Sequence, residues 1–116
     1  MKAINLAEKL ASFTGHWQPR TVGTFNGHDL MVVKVLGEFH WHKHDDTDDF
    51  FLVLQGALTI RLPDGDVHVE PGEIFVVPKG VEHCPVAEEE THILLIEPSG
   101  TPNTGDPVTA APRRVI

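Results

Sequence analysis

The feature that most constrains the fold is a series of short β-rich runs, separated by turn signals, that begins after Pro19. Asn26–Gly27 is the strongest of these signals, because an Asn-Gly pair between two such runs favours a two-residue hairpin turn. Pro63–Asp66 and Pro71–Gly72 predict further turns. About eight or nine short strands spaced in this way indicate an all-β sandwich or barrel rather than alternating strands and helices. A jelly-roll barrel, which closes two sheets over one cavity, accommodates them.

The two ends of the chain differ from this β-rich middle. A capping box at Asn5 and Glu8 predicts a short helix that ends near Phe13. After Pro98, closely spaced prolines argue against regular strand or helix, so this stretch is expected to wrap the barrel or to be partly mobile, with Arg113 in solvent. We therefore predict an N-terminal helical segment over 1–19, a β-barrel over 20–97 and a proline-rich C-terminal tail over 98–116.

Histidines at alternate positions mark the segment around which the rest of the chain is organised. On an extended strand His40, His42 and His44 would share one face, with successive Cα atoms about 7 Å apart. At that separation His42 and His44 can both reach one ion, about 2 Å from each ring nitrogen. Asp49 and the apolar run Phe50–Leu54 follow. The pattern is typical of a first-row metal site on a β-scaffold; the alternative is a solvated loop whose histidines cluster by chance.

A second segment, GEIFVVPKGVEHCP, supplies a partner for the first. Five residues separate Gly72 from Pro78, one separates Pro78 from Gly80, and two separate Gly80 from His83. Together the two segments resemble the two signature motifs of the cupin superfamily, with matches at His42, His44, Gly56, Gly72, Pro78, Gly80 and His83. The resemblance implies a small single-domain cupin, that is, a jelly-roll barrel with a metal ion inside.

The resemblance also implies a ligand set of His42, His44, Asp49 and His83 for one divalent ion. Asp49 stands where the family usually has Glu, so its shorter carboxylate is expected to bind loosely, through water or not at all. The types of ligand do not determine which metal binds, because Fe, Mn, Ni, Co, Cu and Zn are all compatible with them. His40 would lie about 13 Å from His44 along the strand, too far to chelate with it. It is a candidate acid or base beside the site, or else a solvated edge residue.

Charge and cysteine usage limit the partners and the compartment. The net charge of −8 argues against nucleic acid and anionic membranes, which need a basic patch. The single cysteine, Cys84, excludes an internal disulfide and fits a reducing compartment. As the strand neighbour of His83, Cys84 is expected to point away from the site and to be inert. The N-terminus lacks the apolar core of a signal peptide, so a cytoplasmic protein is expected.

Three functions stay open at this level. The first is a metalloenzyme acting on a small apolar or carboxylated molecule as a dioxygenase, lyase or isomerase. The second is a non-catalytic module that binds or senses a small ligand or a metal, and the third is a structural metal site. A catalytic metal keeps an open coordination position and a structural one does not. A phosphorylated ligand is disfavoured, because only Lys43 and Lys79 lie near the motifs.

Assembly as a homodimer is expected from the resemblance, because cupin-like barrels commonly pair through strands. An uncovered edge strand is a hazard that proteins manage by pairing or capping it. The candidate contact regions are the strand Thr21–Phe25 and the proline-rich tail.

Overall fold

The computed structural model describes all 116 residues, most of the regular structure being β-strand. One short helix, α1 (Leu6–Ala11), precedes eight strands. In chain order these are β1 (Arg20–Phe25), β2 (His28–Glu38), β3 (Asp49–Gln55), β4 (Leu58–Leu62), β5 (Gly65–Val69), β6 (Ile74–Val77), β7 (Cys84–Pro98) and β8 (Arg114–Val115). The predicted all-β class with a short N-terminal helix is confirmed.

The longest strand, β7, connects the two layers of the jelly roll. One of its edges pairs antiparallel with β2. Its other edge pairs with β4 near its start and with β3 further along. Beyond these partners lie β5 next to β4, β6 next to β3, and β1 followed by β8 next to β2. The sheet therefore curls around one interior without closing into a hydrogen-bonded ring, since β5, β6 and β8 each keep a free edge.

The β1–β2 hairpin turns where the sequence predicts. Phe25 pairs with His28, and the two residues between them, Asn26 and Gly27, have φ values of 48° and 76°. A two-residue loop with positive φ at both positions is the turn that matches the twist of the flanking strands, and Asn and Gly tolerate it best. This turn fixes the register of β2 against β1.

Two apolar clusters pack on opposite faces of strand β2. The helix begins with the Asn5 side chain accepting a hydrogen bond from the Glu8 N–H at 3.0 Å, as the capping box predicts. It places Leu10 against Val22 and Val32. The main core fills the interior of the jelly roll and comprises Met31, Val33, Val35, Phe51, Val53, Leu58, Ile60, Val69, Val77, Ala87, Ile93 and Leu95.

The segment between β2 and β3 is not the strand that we predicted through His40–His44. Only His42 makes a β-type contact, an isolated bridge to His83 with backbone hydrogen bonds of 3.0 and 2.9 Å. The acidic stretch Asp45–Thr47 forms bends instead, because charged side chains next to one another favour a solvated turn over a packed strand. The three histidines therefore do not share one strand face.

The C-terminal tail wraps the surface, one of the two arrangements expected for it. Its end forms β8, which pairs in parallel with the start of β1. Contrary to the expectation of a solvated side chain, Arg113 is largely buried and binds two carboxylates, Asp29 at 2.9 Å and Glu97 at 2.6 Å. Gly105 of the tail packs so closely on the backbone of Lys43 that a Cβ there would overlap it. The tail thus lies beside the histidine segment.

Candidate metal centre

Four side chains converge at one place in the interior. His42, His44, Asp49 and His83 each offer one ligand atom, and these atoms all lie within 4.8 Å of one another. Three of the side chains are buried and that of His42 is half-buried. Asp49 is the first residue of β3 and His83 immediately precedes β7, while both other histidines lie between β2 and β3. The structure thus brings together the complete ligand set that the sequence implied.

Backbone contacts between the two motif segments hold the histidines in place. The His42–His83 bridge joins the segments directly, and the Gly80 N–H donates to the His44 carbonyl at 2.8 Å. Gly80 has a φ of 80°, in the left-handed region that glycine adopts without steric cost. Gly80 in the second motif therefore helps to position His44 as well as His83.

Two imidazoles are oriented by backbone carbonyls. The Nδ1 atom of His42 lies 2.8 Å from the His40 carbonyl oxygen, and that of His83 lies 2.9 Å from the Val81 carbonyl oxygen. A carbonyl only accepts, so each Nδ1 carries the proton and each neutral ring leaves a lone pair on Nε2. Metal-ligating histidines almost always donate their other ring N–H in this way.

Asp49 occupies the middle of the cluster rather than its edge. Its Oδ2 atom lies 2.9 Å from Nε2 of His83 and 3.4 Å from Nε2 of His44. Since the Nδ1 proton of His83 is committed to a carbonyl, a neutral His83 would face this carboxylate with a lone pair. Two acceptors at 2.9 Å require a proton or a metal cation between them. The short side chain, expected to reach poorly, therefore contacts two histidines directly.

Two buried polar atoms of the cluster have no hydrogen-bond partner, Nε2 of His44 and Oδ1 of Asp49. Buried polar groups are nearly always paired, and leaving one unpaired costs on the order of 1–3 kcal/mol. A divalent ion bound by three imidazoles and one carboxylate would satisfy both atoms. The residues present fit a metal ion, so the cluster could hold one.

The electrostatics of the cluster favour the metal-binding forms of His42 and Asp49 but not that of His44. Burial lowers the pKa of His42 to about 4, which keeps that imidazole neutral. For Asp49, burial raises the pKa, but contacts with His44 and His83 outweigh it and hold the pKa well below the usual range. Burial lowers the pKa of His44, and the neighbouring Asp49 carboxylate reverses this to a net increase. A proton thus competes with a metal at His44 more than at His42.

An apolar cavity adjoins the cluster. Its volume is about 40 Å³, and His42 and Asp49 contribute to its wall. The ring of Trp17 stacks on that of Phe39 with centroids 4.7 Å apart, and both rings line the cavity. The rest of the wall is largely core side chains, among them Val33, Val35, Phe51, Ile93 and Leu95. A metal in the cluster would therefore border a small, mainly apolar space.

Sequence reasoning missed Glu97, a buried carboxyl in the same wall. It is 3% exposed, and burial together with the nearby Asp49 carboxylate raises the pKa of Glu97 to about 8. On β7 it follows Ile93 and Leu95 in the alternation of inward-facing residues. Its place in this alternation could have identified Glu97 from the sequence, since a carboxylate at a core-facing strand position seldom occurs without a partner or a role.

A model of the Cupin_2 family, described as a cupin domain, matches residues 29–97. The chain belongs to this family. All four candidate ligands and Glu97 lie inside the matched range. The jelly-roll architecture and the two motifs are thus accounted for by one family, as the resemblance implied.

Individual relatives agree with this assignment. The cupin is 32% identical over 96 residues to the YdbB protein of Bacillus subtilis, across 82% of this chain and 79% of that protein. It is 39% identical over 77 residues to a 3-hydroxyanthranilate 3,4-dioxygenase of Ruegeria pomeroyi, across 60% of this chain but only 43% of the dioxygenase. A solved cupin-2 domain-containing protein from Shewanella frigidimarina has a TM-score of 0.81 and 46% identity, covering 82% of this chain and 93% of that one.

His40 and Cys84, both considered in the sequence analysis, lie outside the cluster. The side chain of His40 is exposed and is absent from the cavity wall, so only its carbonyl contributes, through His42. Cys84 is fully buried, with its Sγ atom 3.8 Å from Oε1 of Glu38, and burial raises the pKa of its thiol. The expectation that Cys84 faces away from the site is confirmed. No helix of this chain has the length and apolar character needed to cross a lipid bilayer.

Proposed function

We propose that this cupin is a small metalloenzyme in which His42, His44, Asp49 and His83 hold one divalent metal ion. The observation that carries the proposal is the pair of unpartnered buried atoms on His44 and Asp49, since a metal ion is the partner that satisfies both. When bound, such an ion supplies Lewis-acid or redox chemistry. The protein would contribute the orientation of its ligands and an apolar space that limits access of water.

The reaction is proposed to belong to the dioxygenase, lyase or isomerase class and to act on a small molecule in the adjoining cavity. Identity to the Ruegeria dioxygenase supports the first of these classes, although this chain spans less than half of that protein. Glu97 supports acid–base chemistry of any of the three, because it places a second carboxyl in the cavity wall. The metal could be Fe, Mn, Ni, Co, Cu or Zn, since nitrogen and oxygen ligands suit all of them.

A non-catalytic module that binds or senses a small ligand or a metal is the second candidate. It is favoured because the ring of His40, the residue that the sequence suggested as an acid or base, lies in solvent rather than beside the cluster. A purely structural metal is less well supported, because His42 and Asp49 line an open cavity whereas structural sites are closed. Steady turnover of any substrate would distinguish the enzyme from the sensing module.

A homodimer is proposed as the assembled form. The strand β1, our sequence candidate, is covered at its start by β8. The free edge of β6, which exposes Ile74 and Val76, is therefore the better contact region. Sedimentation that gives only monomer at tens of micromolar would contradict this proposal. A cytoplasmic location, proposed from the single unpaired cysteine, would be tested by cell fractionation.

The metal proposal is tested by elemental analysis of protein purified without added metal and then loaded with zinc. We expect about one equivalent of metal in the wild-type protein. We expect none in His83→Ala, because this substitution removes the most buried of the four ligands. His68→Ala is the matched control, since His68 is exposed and outside the cluster. Circular dichroism establishes that both variants are folded. Full metal content in His83→Ala would contradict the proposal.

A further inference from the structure

We infer that Trp17 is a gate residue, whose indole ring has to move aside before an organic molecule can reach the metal centre. The inference rests on the proposed function, because it takes the four-residue cluster to hold a metal ion. Three features of the structure support it: the size of the cavity, the position of the Trp17 ring and the conformation of the Trp17 backbone.

The cavity beside the cluster is too small for an organic ligand in the present conformation. Its volume of about 40 Å³ is well below the roughly 300–1,000 Å³ that is usual for small-molecule sites. It offers room for a few water molecules only. A larger molecule can therefore occupy this space only after a part of the wall has moved.

Access to the cluster runs through this cavity. His44, Asp49 and His83 are no more than 5% exposed, whereas His42 is half-buried and lies in the cavity wall. A wider polar groove between residues 45–47 and the tail borders His44 alone among the four, and only 4% of the His44 side chain is exposed. A second molecule would therefore approach a bound metal from the cavity side.

Two aromatic rings form the part of the wall next to His42. The rings of Trp17 and Phe39 stack with centroids 4.7 Å apart, and the Phe39 ring meets the His42 imidazole edge-on at 5.3 Å. The Phe39 N–H donates to the Pro85 carbonyl at 3.0 Å, which ties Phe39 to β7. Trp17 lies between α1 and β1, outside the strands. Movement of Trp17 therefore disturbs less regular structure than movement of the strand residues that form most of the wall.

The backbone of Trp17 has a conformation that a bulky residue seldom adopts. Its φ is 58°, in the left-handed region where a side chain crowds its own backbone. Asn26, the other non-glycine residue with a positive φ, is explained by its hairpin turn, whereas Trp17 lies in no hairpin. Strained residues of this kind cluster at ligand clamps and switch regions. At Trp17 the strain coincides with the wall of the cavity.

Three contacts hold the strained residue in place. The Trp17 backbone N–H donates to the Lys34 carbonyl at 2.8 Å, the indole Nε1–H donates to the Leu36 carbonyl at 2.9 Å, and the ring stacks on Phe39. An open form with an ordinary φ would lose the indole contacts but would also release the backbone strain. Because these contributions oppose one another, the gate can open without unfolding the sheet.

The gate is tested by the rate at which 1,10-phenanthroline, a flat aromatic chelator larger than the cavity, removes zinc from the loaded protein. In the wild-type protein we expect this rate to level off as the chelator concentration rises, because opening of the gate limits it. In Trp17→Ala we expect removal to be at least about tenfold faster, since an indole hydrogen bond and a ring stack are lost together. The rate should then stay proportional to the chelator concentration.

The equilibrium affinity for zinc distinguishes a gate from a residue that merely supports the site. A gate changes the rates of entry and exit alike, so the affinity of Trp17→Ala, measured against a competing chelator, should equal that of the wild-type protein. Trp41→Ala is the matched control, because Trp41 is 46% exposed and does not line the cavity. Its rate of zinc removal should be that of the wild-type protein.

Trp17→Phe gives a second variant of the gate. It keeps a ring that can stack on Phe39 but lacks the indole N–H, so its rate of zinc removal should lie between those of the wild-type protein and Trp17→Ala. Circular dichroism establishes that each variant is folded. If Trp17→Ala does not fold, Trp17→Phe decides, and a wild-type rate in it would then overturn the inference.

The remaining outcomes separate this inference from the proposed function. A wild-type rate in folded Trp17→Ala, or a rate proportional to chelator concentration in the wild-type protein itself, would overturn the gate and leave the metal site standing. Faster removal matched by an equal loss of affinity would also overturn the gate, because Trp17 would then stabilise the bound metal. Absence of zinc from the loaded wild-type protein would contradict the proposed function and the gate with it.

Discussion

Two parts of the interior of this cupin are equally buried but opposite in chemistry. Around Leu58, Ile60 and Val69 the side chains are apolar and no more than 1% exposed. Around Asp49 and His83 exposure is as low, 3% and 1%, yet the side chains are ionisable and two atoms of the cluster lack a partner. The apolar part stabilises the fold by removing surface from water. The polar part costs free energy of folding as long as its atoms stay unpaired.

Burial alone does not distinguish the two parts, because both lie inside one jelly roll. The distinguishing property is the partner that each buried group finds. Apolar groups are satisfied by one another, whereas His44 and Asp49 require something that the chain does not provide. Perturbing one part should therefore leave the other largely unchanged, and three changes test this separation.

The largest effect is expected from pH, which acts on the polar part. His42, with its pKa lowered by burial to about 4, stays neutral at pH 5 and does not compete with a metal. The pKa of His44 is raised overall, so protonation of His44 displaces metal as the pH falls. We expect the logarithm of zinc affinity to fall between pH 7 and 5, but by less than the roughly three per pH unit that three ordinary histidines would give.

Zinc titrations against a competing chelator at several pH values measure this slope. A flat profile would mean that protonation of His44 does not compete with the metal, and it would contradict the assignment of His44 as a ligand. A slope near three would mean that His42 also has to lose a proton, which would contradict the environment described for it.

The next effect is expected from a cavity in the apolar part. Ile60→Ala removes three methyl or methylene carbons at a position with no exposure and should lower the free energy of unfolding by about 2–5 kcal/mol. Denaturant unfolding measures the loss, with Val108→Ala as control because Val108 is 89% exposed. Zinc content per folded molecule should stay at one equivalent. Loss of zinc in folded Ile60→Ala would show that the two parts are coupled.

The smallest effect is expected at the surface beside the metal cluster. Lys43 lies between His42 and His44 in sequence, but its pair with Asp45 is exposed, and such pairs contribute little to stability. Lys43→Ala should change the free energy of unfolding by less than about 0.5 kcal/mol and leave zinc content unchanged. A change of zinc affinity by tenfold or more would extend the functional region beyond the buried cluster.

Much of the fold and the ligand set could be predicted because the signals are local. Asn26 and Gly27 specify their turn through two backbone conformations, with no help from the rest of the chain. Motif spacing identified His42 and His83 as partners, since the cupin framework is set by residues at fixed intervals. The path of the chain near His40 was less predictable. Alternating histidines favour a strand only if a neighbouring strand pairs with them, and β7 pairs with β2 and β4 instead.

Glu97 and Arg113 show a second limit of sequence reasoning. Their ion pair joins β7 to the tail across 16 residues, and the tail carries no periodic pattern that would indicate which of its side chains turns inward. Arg113 was therefore expected in solvent, and the carboxylate beside the cluster was overlooked. Contacts of this kind depend on how irregular segments pack, which local propensities do not determine.

The claim that His42, His44, Asp49 and His83 form one metal centre is tested most directly by anomalous scattering from crystals grown with one equivalent of zinc. We predict a single strong peak, about 2.0–2.2 Å from Nε2 of each histidine and from one carboxylate oxygen of Asp49. A peak elsewhere in the molecule, or none within reach of His83, would contradict the account.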